Sequence, residues 1–344
     1  MEKFLSSDRI KAEALRLGFS ACGLAPAEAV DETVATAFRQ WLADGCQAEM
    51  AYMQNYEDKR LDPRLLVEGA RTVISVALNY YPATKIPENE YQIAWYAYGK
   101  DYHDVMKGKL KELFEFIEKE VSFSEETDST IASTNNIGTY TENYASAPQA
   151  PVSQTSASPL QGRIFCDTAP ILERYWAWRT GLGWIGKNTH LIIPHAGSCF
   201  FLGEIILDRE ADNYDSPQRN QCGSCTRCLD ACPTGALEGP RHLNARKCLS
   251  YLTIENRGEI PAEQASRLGN RLYGCDTCQE VCPWNRFARP TQIEAFRPKP
   301  TLLSLRKEDL KVFSREDYNR IFAKSAVKRA KYEGLIRNIH NLKD

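Results

Sequence analysis

No stretch of this 344-residue chain reaches the roughly 18 apolar residues in a row that a membrane-spanning helix needs. The opening "MEKFLSSDRIKAEALRLGF" has neither a twin-arginine pair nor the continuous apolar segment of an export signal, so a soluble, cytoplasmic protein with no membrane partner is expected. Charge of one sign is also missing. A formal net charge of -2 excludes a uniformly basic surface and confines any polyanion to one face. No G-x-G-x-x-G follows a strand-like run, and the glycine-rich "GLGWIGKNT" lacks Walker spacing, so neither a dinucleotide fingerprint nor a P-loop is written here.

What is present suits one large core with a smaller appended module, since 43% of the residues are apolar. Residues 7–17 predict a capped helix ended by Gly18, and "DETVATAFRQWLADG" a second one ended by Gly45. The β-branched "RTVISVALNYY" predicts a buried strand, and so do "GRIFCD", "HLIIP" and "CFFLGEIILD". In "DYHDVMKGKLKELFEFIEKEV" the residues Val105, Leu110, Leu113, Phe114, Ile117 and Val121 recur at helical spacing, the mark of a core-facing stripe. From Ser122 to about Pro159 the sequence turns to Ser, Thr, Asn, Ala and Pro, and a flexible insertion is expected over 122–160. The expected class is α/β (α+β): a sheet-and-helix domain over 1–212, a cysteine-rich module over 213–290 and a basic helical tail over 291–344. In that tail, from Arg306 onward, eleven Lys and Arg face six Asp and Glu.

Twelve cysteines in a reducing compartment point to metal or redox sites before disulfides. Cys222, Cys225, Cys228 and Cys232, followed by Pro233, have the C-x2-C-x2-C-x3-C-P spacing of bacterial two-cluster ferredoxins, in which the fourth cysteine ligates the other cluster. A second run, Cys275, Cys278 and Cys282 before Pro283, is one thiolate short, and Cys248 between the runs supplies it. Crossing the fourth ligands assigns Cys222, Cys225, Cys228 and Cys282 to one 4Fe-4S cluster, and Cys232, Cys248, Cys275 and Cys278 to the other. Two zinc sites of four cysteines each are the plainer alternative, but the triple run with a terminal Cys-Pro is more specific than single C-x2-C pairs. Cys22, Cys46, Cys166 and Cys199 lack such spacing and read as buried thiols.

Some two hundred residues precede the clusters and must hold what the electrons are for. Asp167 in "CDTAPILER" stands at the end of a strand just before a helix, where an acid is either a catalytic group or an ordinary helix N-cap. "DYH" at residues 101–103 is likewise either a helix start or part of a site.

Taken together, "DYH", "DTAPILER", "GLGWIGKNT", "CLSYLTIENRGEIP" and the eight-cysteine pattern closely resemble the epoxyqueuosine reductases, cobalamin-dependent iron-sulfur enzymes that complete queuosine synthesis in tRNA. The resemblance runs from Phe4 to about Asn338. It implies an N-terminal domain that binds cobalamin, a packed ferredoxin-like module, and reduction of an epoxide-bearing nucleoside at the tRNA wobble position with two electrons and two protons. By position it makes Asp167 the proton donor to the epoxide oxygen. Trp184, Ile185, Lys187 and Asn188 would line the corrinoid, with Arg60, Tyr102 and His103 as further contacts and Ser250 between cluster and corrinoid. Arg257 would meet tRNA phosphate. Apart from the resemblance, the net-positive tail, with Lys328 and Arg329, either meets tRNA phosphate or is a solvated helix face. Implied partners are the modified tRNA and an external electron donor of flavodoxin or ferredoxin type, and a monomer is expected. Many members continue into HEAT-like helical repeats, and this chain ends near the start of that region. A reductive dehalogenase-like corrinoid reductase of a small molecule, or a non-catalytic cobalamin or electron carrier, would share the cofactors but need no tRNA surface.

The crossed ligand assignment predicts that Cys248→Ala loses about half of the iron, one of two clusters, while Cys199→Ala loses none. Iron analysis of anaerobically purified protein tests this, and full retention in Cys248→Ala would refute the assignment.

Overall fold

The computed structural model describes residues 4–134 and 159–342. The chain runs α1 (Ser7–Arg16), β1 (Ala21–Pro26), α2 (Glu32–Ala43), α3 (Glu57–Leu61), β2 (Thr72–Asn79), β3 (Gln92–Ile93), α4 (Tyr102–Thr134), β4 (Gly162–Phe165), α5 (Glu173–Arg179), β5 (Trp184–Ile185), β6 (Leu191–Ile192) and β7 (Phe200–Leu207). Strands β1, β2, β7 and β4 form one sheet in that order, every neighbouring pair antiparallel. Side chains alternate across it, as the period of two requires. Ile74, Val76, Leu78, Ile205 and Leu207 face α1 and α4, while Val73, Ile206 and Phe165 face α2 and α5. The expected α4 stripe is realised: Leu110, Leu113 and Ile117 are buried, joined by Met106, and all four belong to the first of these cores.

Helix α4 continues past Ser122 to Thr134, although the change in composition predicts a loop from Ser122. Once a helix is nucleated, each added residue costs far less than the first turn, so Ser and Thr extend it. The rest of the expected insertion, 135–158, lies outside the described residues.

The cysteine-rich region is built of short pieces: α6 (Arg227–Asp230), β8 (Leu237–Gly239), β9 (His242–Leu243), α7 (Leu249–Ile254), α8 (Ala262–Ser266), β10 (Arg271–Tyr273) and α9 (Thr277–Glu280). After it come α10 (Pro300–Ser304), α11 (Lys307–Leu310), α12 (Arg315–Ile321) and α13 (Lys331–His340). These last helices are no free arm. Phe296, Leu302, Phe313, Phe322, Val327 and Leu335 join the same core as α1 and α4. Buried hydrogen bonds fasten them, among them Tyr273 OH to Ala326 O at 2.7 Å, and the fully buried Asn338 amide to Thr253 O and Leu272 O at 2.8 and 2.9 Å.

The close approach of α5 to the sheet depends on Gly23 in β1. A Cβ there would stand 1.9 Å from Thr180 O and 2.9 Å from Leu182 Cδ1. Gly23→Ala must therefore push the end of α5 away, at an expected cost of about 1–3 kcal/mol. A lowered urea midpoint with iron content unchanged is the expected result, and an unaltered midpoint would contradict this packing.

Candidate active site and iron-sulfur module

Strand β4 ends at Phe165, and α5 does not begin until Glu173, with Leu172 at its N-cap. Asp167 therefore does not cap the helix. It lies on the intervening loop with φ +57°, and its backbone N–H donates to Glu173 Oε1 at 2.5 Å. Its side chain, 54% exposed, meets His103 Nε2 at 3.1 Å, while His103 Nδ1 meets Asp101 Oδ1 at 2.7 Å. "DYH" is a helix start: Asp101 also accepts the His103 backbone N–H at the beginning of α4. The His103 ring stacks on Tyr102, with centroids 4.1 Å apart, and Tyr102 stacks in turn on Phe201 at 4.3 Å.

With a carboxylate at each nitrogen, the ring is held as imidazolium. The bonds to Asp101 and then Asp167 outweigh burial and raise His103 to about 9. Burial pushes the Asp167 carboxyl up, but the bonds from His103 and Tyr102 overcome it and the group settles below the usual carboxylate range. At neutral pH the proton of this pair rests on His103. Burial, followed by the Asp167 charge, holds the Tyr102 phenol protonated.

Several neighbours were not singled out from sequence. Glu173 is pushed up to about 7 by burial and then by Asp167, and Glu204 on β7, fully buried, is raised well above the carboxylate range by burial and then by Glu173. Glu173 stands in the quoted "DTAPILER", and Glu204 is an acid in the otherwise apolar "CFFLGEIILD", a signal that was legible. Tyr52, 44% exposed, lies within electrostatic reach of Asp167 and Arg329.

The cysteines gather in two sets. Cys282 is pushed up by burial and then by Cys222 and Cys225, and Cys228 by burial and then by Cys282 and Cys222. Cys248 is raised by burial, with Cys275 and Cys232 beside it; Cys278 is raised by burial and then by Cys275 and Cys248, and Cys228 of the other set also reaches it. Such neighbourhoods of four soft thiols fit iron-sulfur ligation.

Of the residues expected to line the corrinoid, Lys187 and Asn188 of "GWIGKNT" hydrogen-bond to the cysteine loops. Lys187 Nζ donates to Gly223 O and Cys225 O at 2.8 and 2.9 Å, and the buried Asn188 amide donates to Cys278 O at 3.0 Å. Trp184 is buried edge-on against Trp284, with centroids 4.8 Å apart, and Ile185 pairs with Leu191. Arg60 is 7% exposed, donates to Tyr52 O at 3.1 Å, and its Nε has no partner among the described residues. Ser250 lies in the first turn of α7, two residues after Cys248. Arg257 spends its guanidinium on Ile254 O, Arg329 O and Ala330 O, and Arg329 forks onto Glu255 with two bonds of 2.8 Å; Lys328 is exposed.

Residues 221–285 match the family model of the 4Fe-4S double cluster binding domain, and residues 60–130 match that of epoxyqueuosine reductase QueG, DUF1730. The epoxyqueuosine reductase of Cellulophaga algicola is 44% identical over 98% of this chain and 98% of its own length, and that of Leadbetterella byssophila is 43% identical with the same coverage. The chain belongs to the epoxyqueuosine reductase family. The enzyme is an oxidoreductase whose reaction is the reduction of epoxyqueuosine to queuosine, and it carries two 4Fe-4S clusters. A crystal structure of epoxyqueuosine reductase with an epoxyqueuosine-modified tRNA-Tyr stem loop is 28% identical, with a TM-score of 0.77 over 97% of this chain and 79% of that one. The enzyme from Bacillus subtilis, solved with its catalytic aspartate loop swung out of the active site, is 27% identical with a TM-score of 0.75, over 97% of this chain and 79% of that one.

The raised His103 has a consequence for stability. A group moved from 6.5 to about 9 on folding contributes stability that is fully present below pH 6.5 and lost as the pH rises through about 9. The urea midpoints of the wild type and His103→Gln should therefore differ most at neutral pH and below, and converge above pH 9. A gap independent of pH would refute the imidazolium.

Proposed function

We propose that the enzyme reduces the epoxide of epoxyqueuosine carried in tRNA, using cobalamin, with Asp167 delivering the proton to the departing oxygen. The observation that carries this reading is the Asp101–His103–Asp167 chain, which ends in a half-exposed carboxyl. The overall reaction consumes two electrons and two protons and releases water. An alkoxide is a poor leaving group, so a positioned acid lowers the barrier. Asp167 is ionised at rest, and the proton it passes on is drawn from the His103 imidazolium, which Asp101 holds in line. The loop position of Asp167 agrees with the catalytic aspartate loop of the Bacillus subtilis enzyme.

The residues fit a corrinoid. Its ring is edged with amide side chains, and Arg60 Nε and Gln47 Oε1 are buried polar atoms without partners among the described residues. The 46–60 segment also links the cluster region to the acid: the Glu49 N–H donates to Tyr251 OH on α7, and Arg60 feels the charge of Glu173. When bound, cobalamin supplies a strongly reducing cobalt centre for the substrate carbon. Arg60, Gln47 and Ser250 would hold it, and Tyr102 and His103 would border it. Lys187 and Asn188 keep the cluster loops in place beside it.

For tRNA, the supporting feature is the basic edge at Lys328 and Arg329. The Arg329 charge is felt at Asp167, so phosphate bound along this edge would lie beside the acid. Arg257 supports that edge through the carbonyls of Arg329 and Ala330. For the electron donor, a groove of about 1290 Å³ beside Cys282, lined by Lys85, Trp95, Arg227, Glu280 and Arg286 among others, offers a seat for a flavodoxin or ferredoxin. The assignment of Cys282 to the first cluster and of Cys232 and Cys248 to the second is favoured by the two thiol neighbourhoods. A monomer suffices, because one chain supplies every group named. A cytoplasmic location suits a tRNA substrate, and among the described residues no helix is long and apolar enough to cross a membrane. A small-molecule dehalogenase is disfavoured by relatives of the same length and a different activity. A carrier without chemistry would not need the His103-paired acid.

Asparagine at 167 keeps the size of the side chain and loses the proton. Asp167→Asn should retain iron and bound cobalamin, yet lose roughly 100- to 10,000-fold in single-turnover rate on pre-reduced protein. A near-normal rate would sink the proton-donor reading.

A further inference from the structure

The backbone of Asp167 is not relaxed. At φ +57° it occupies the left-handed region, which a residue other than Gly adopts rarely and which surrounding contacts must maintain. Within the loop, the Thr168 N–H closes back onto Cys166 O at 2.6 Å. From outside it, Glu173 Oε1 accepts the Asp167 N–H at 2.5 Å. Glu173 is well placed to hold something still. It opens α5, and Tyr175, Trp176 and Ala177 bury that helix against the sheet. Beneath α5, Gly23, Ser75, Glu204 and Phe165 form a row straight across the four strands. In that row Glu204 is fully buried, and neither of its carboxyl oxygens has a partner among the described residues. The reading of Asp167 as acid uses neither Glu173 nor Glu204.

We propose that Glu173 is the positioning residue for the catalytic acid: its carboxylate, carried on α5, latches the left-handed turn at Asp167 and so aims the Asp167 side chain along the His103 axis. The proposal rests on Asp167 being the acid. An ionised carboxylate is a markedly better acceptor than a protonated one, so the latch requires the charged form. The groups facing Glu173 are Asp167 and Cys166 from the end of β4, His103 from α4, Arg60 from α3, Glu204 from β7 and Arg174 beside it on α5. Burial, and then Asp167, place Glu173 at about 7. Glu204 is raised further, by burial and then by Glu173, and stays neutral, so of these two carboxyls it is Glu173 that ionises. The latch is closed above pH 7 and opens as the pH falls through it.

Hydrogen exchange at the Asp167 amide reads the latch directly, without substrate or cobalamin turnover. Corrected for intrinsic rates, protection in the wild type should fall about tenfold between roughly pH 8 and pH 6, the change expected of a single group titrating near 7. In Glu173→Gln, protection should be lower and flat with pH. Its single-turnover rate should drop about 10- to 100-fold, while iron content and tRNA affinity are unchanged, as for a lost orienting contact. Wild-type protection that does not change across this pH range overturns the proposal, as does a Glu173→Gln rate within twofold of wild type. Should Glu173→Gln fail to fold, the wild-type pH series decides alone. A normal rate in Asp167→Asn would remove the acid reading instead, leaving the amide exchange to report on the turn itself.

Discussion

Two adjacent residues at the start of α5 tie the Asp167 loop to the cysteine loops. Glu173 holds the backbone of Asp167, and Arg174 donates to Thr189 O at 2.8 Å, at a residue that is itself left-handed with φ +69°. Immediately before Thr189, Lys187 and Asn188 grip the loops of the two cysteine sets. The position of α5 on the sheet thus sets Asp167 and the cysteine loops relative to each other. That position rests on Gly23, whose missing side chain admits the helix end, and on the burial of Trp176 and Ala177.

Features fixed by local chemistry were open to reading from sequence. Cysteine spacing is one, because ligands two residues apart must converge on one centre. The β2 and β7 strands and the α4 stripe are others, since a period of two or of 3.6 leaves its trace in hydrophobicity. The candidate site was half legible. Asp167 and His103 could be named, but the φ of Asp167 and its contact with a carboxylate six residues later are tertiary facts. Glu204 was visible as an acid within an apolar strand, yet nothing in sequence tells whether such a group is paired or buried alone.

Charge counting misleads for a similar reason. The surplus of Lys and Arg after Arg306 reads as a polyanion surface, but part of it is already paired within the chain, at the surface for Arg315 and Arg329. Arg337 donates to Leu252 O, Asn256 O and Gly258 O, Arg329 forks onto Glu255, and Arg315 pairs with Glu333. A count of basic residues measures capacity for phosphate, whereas the number left to solvent determines it.

The buried amide of Asn338 bridges Thr253 on α7 and Leu272 on β10, the elements that follow Cys248 and precede Cys275. During synthesis these two elements leave the ribosome dozens of residues before Asn338 does. Until α13 emerges, the four thiols of the second set belong to a chain whose frame is open. Docking of α13, which is made after both elements, then fastens the frame on either side of Cys248 and Cys275.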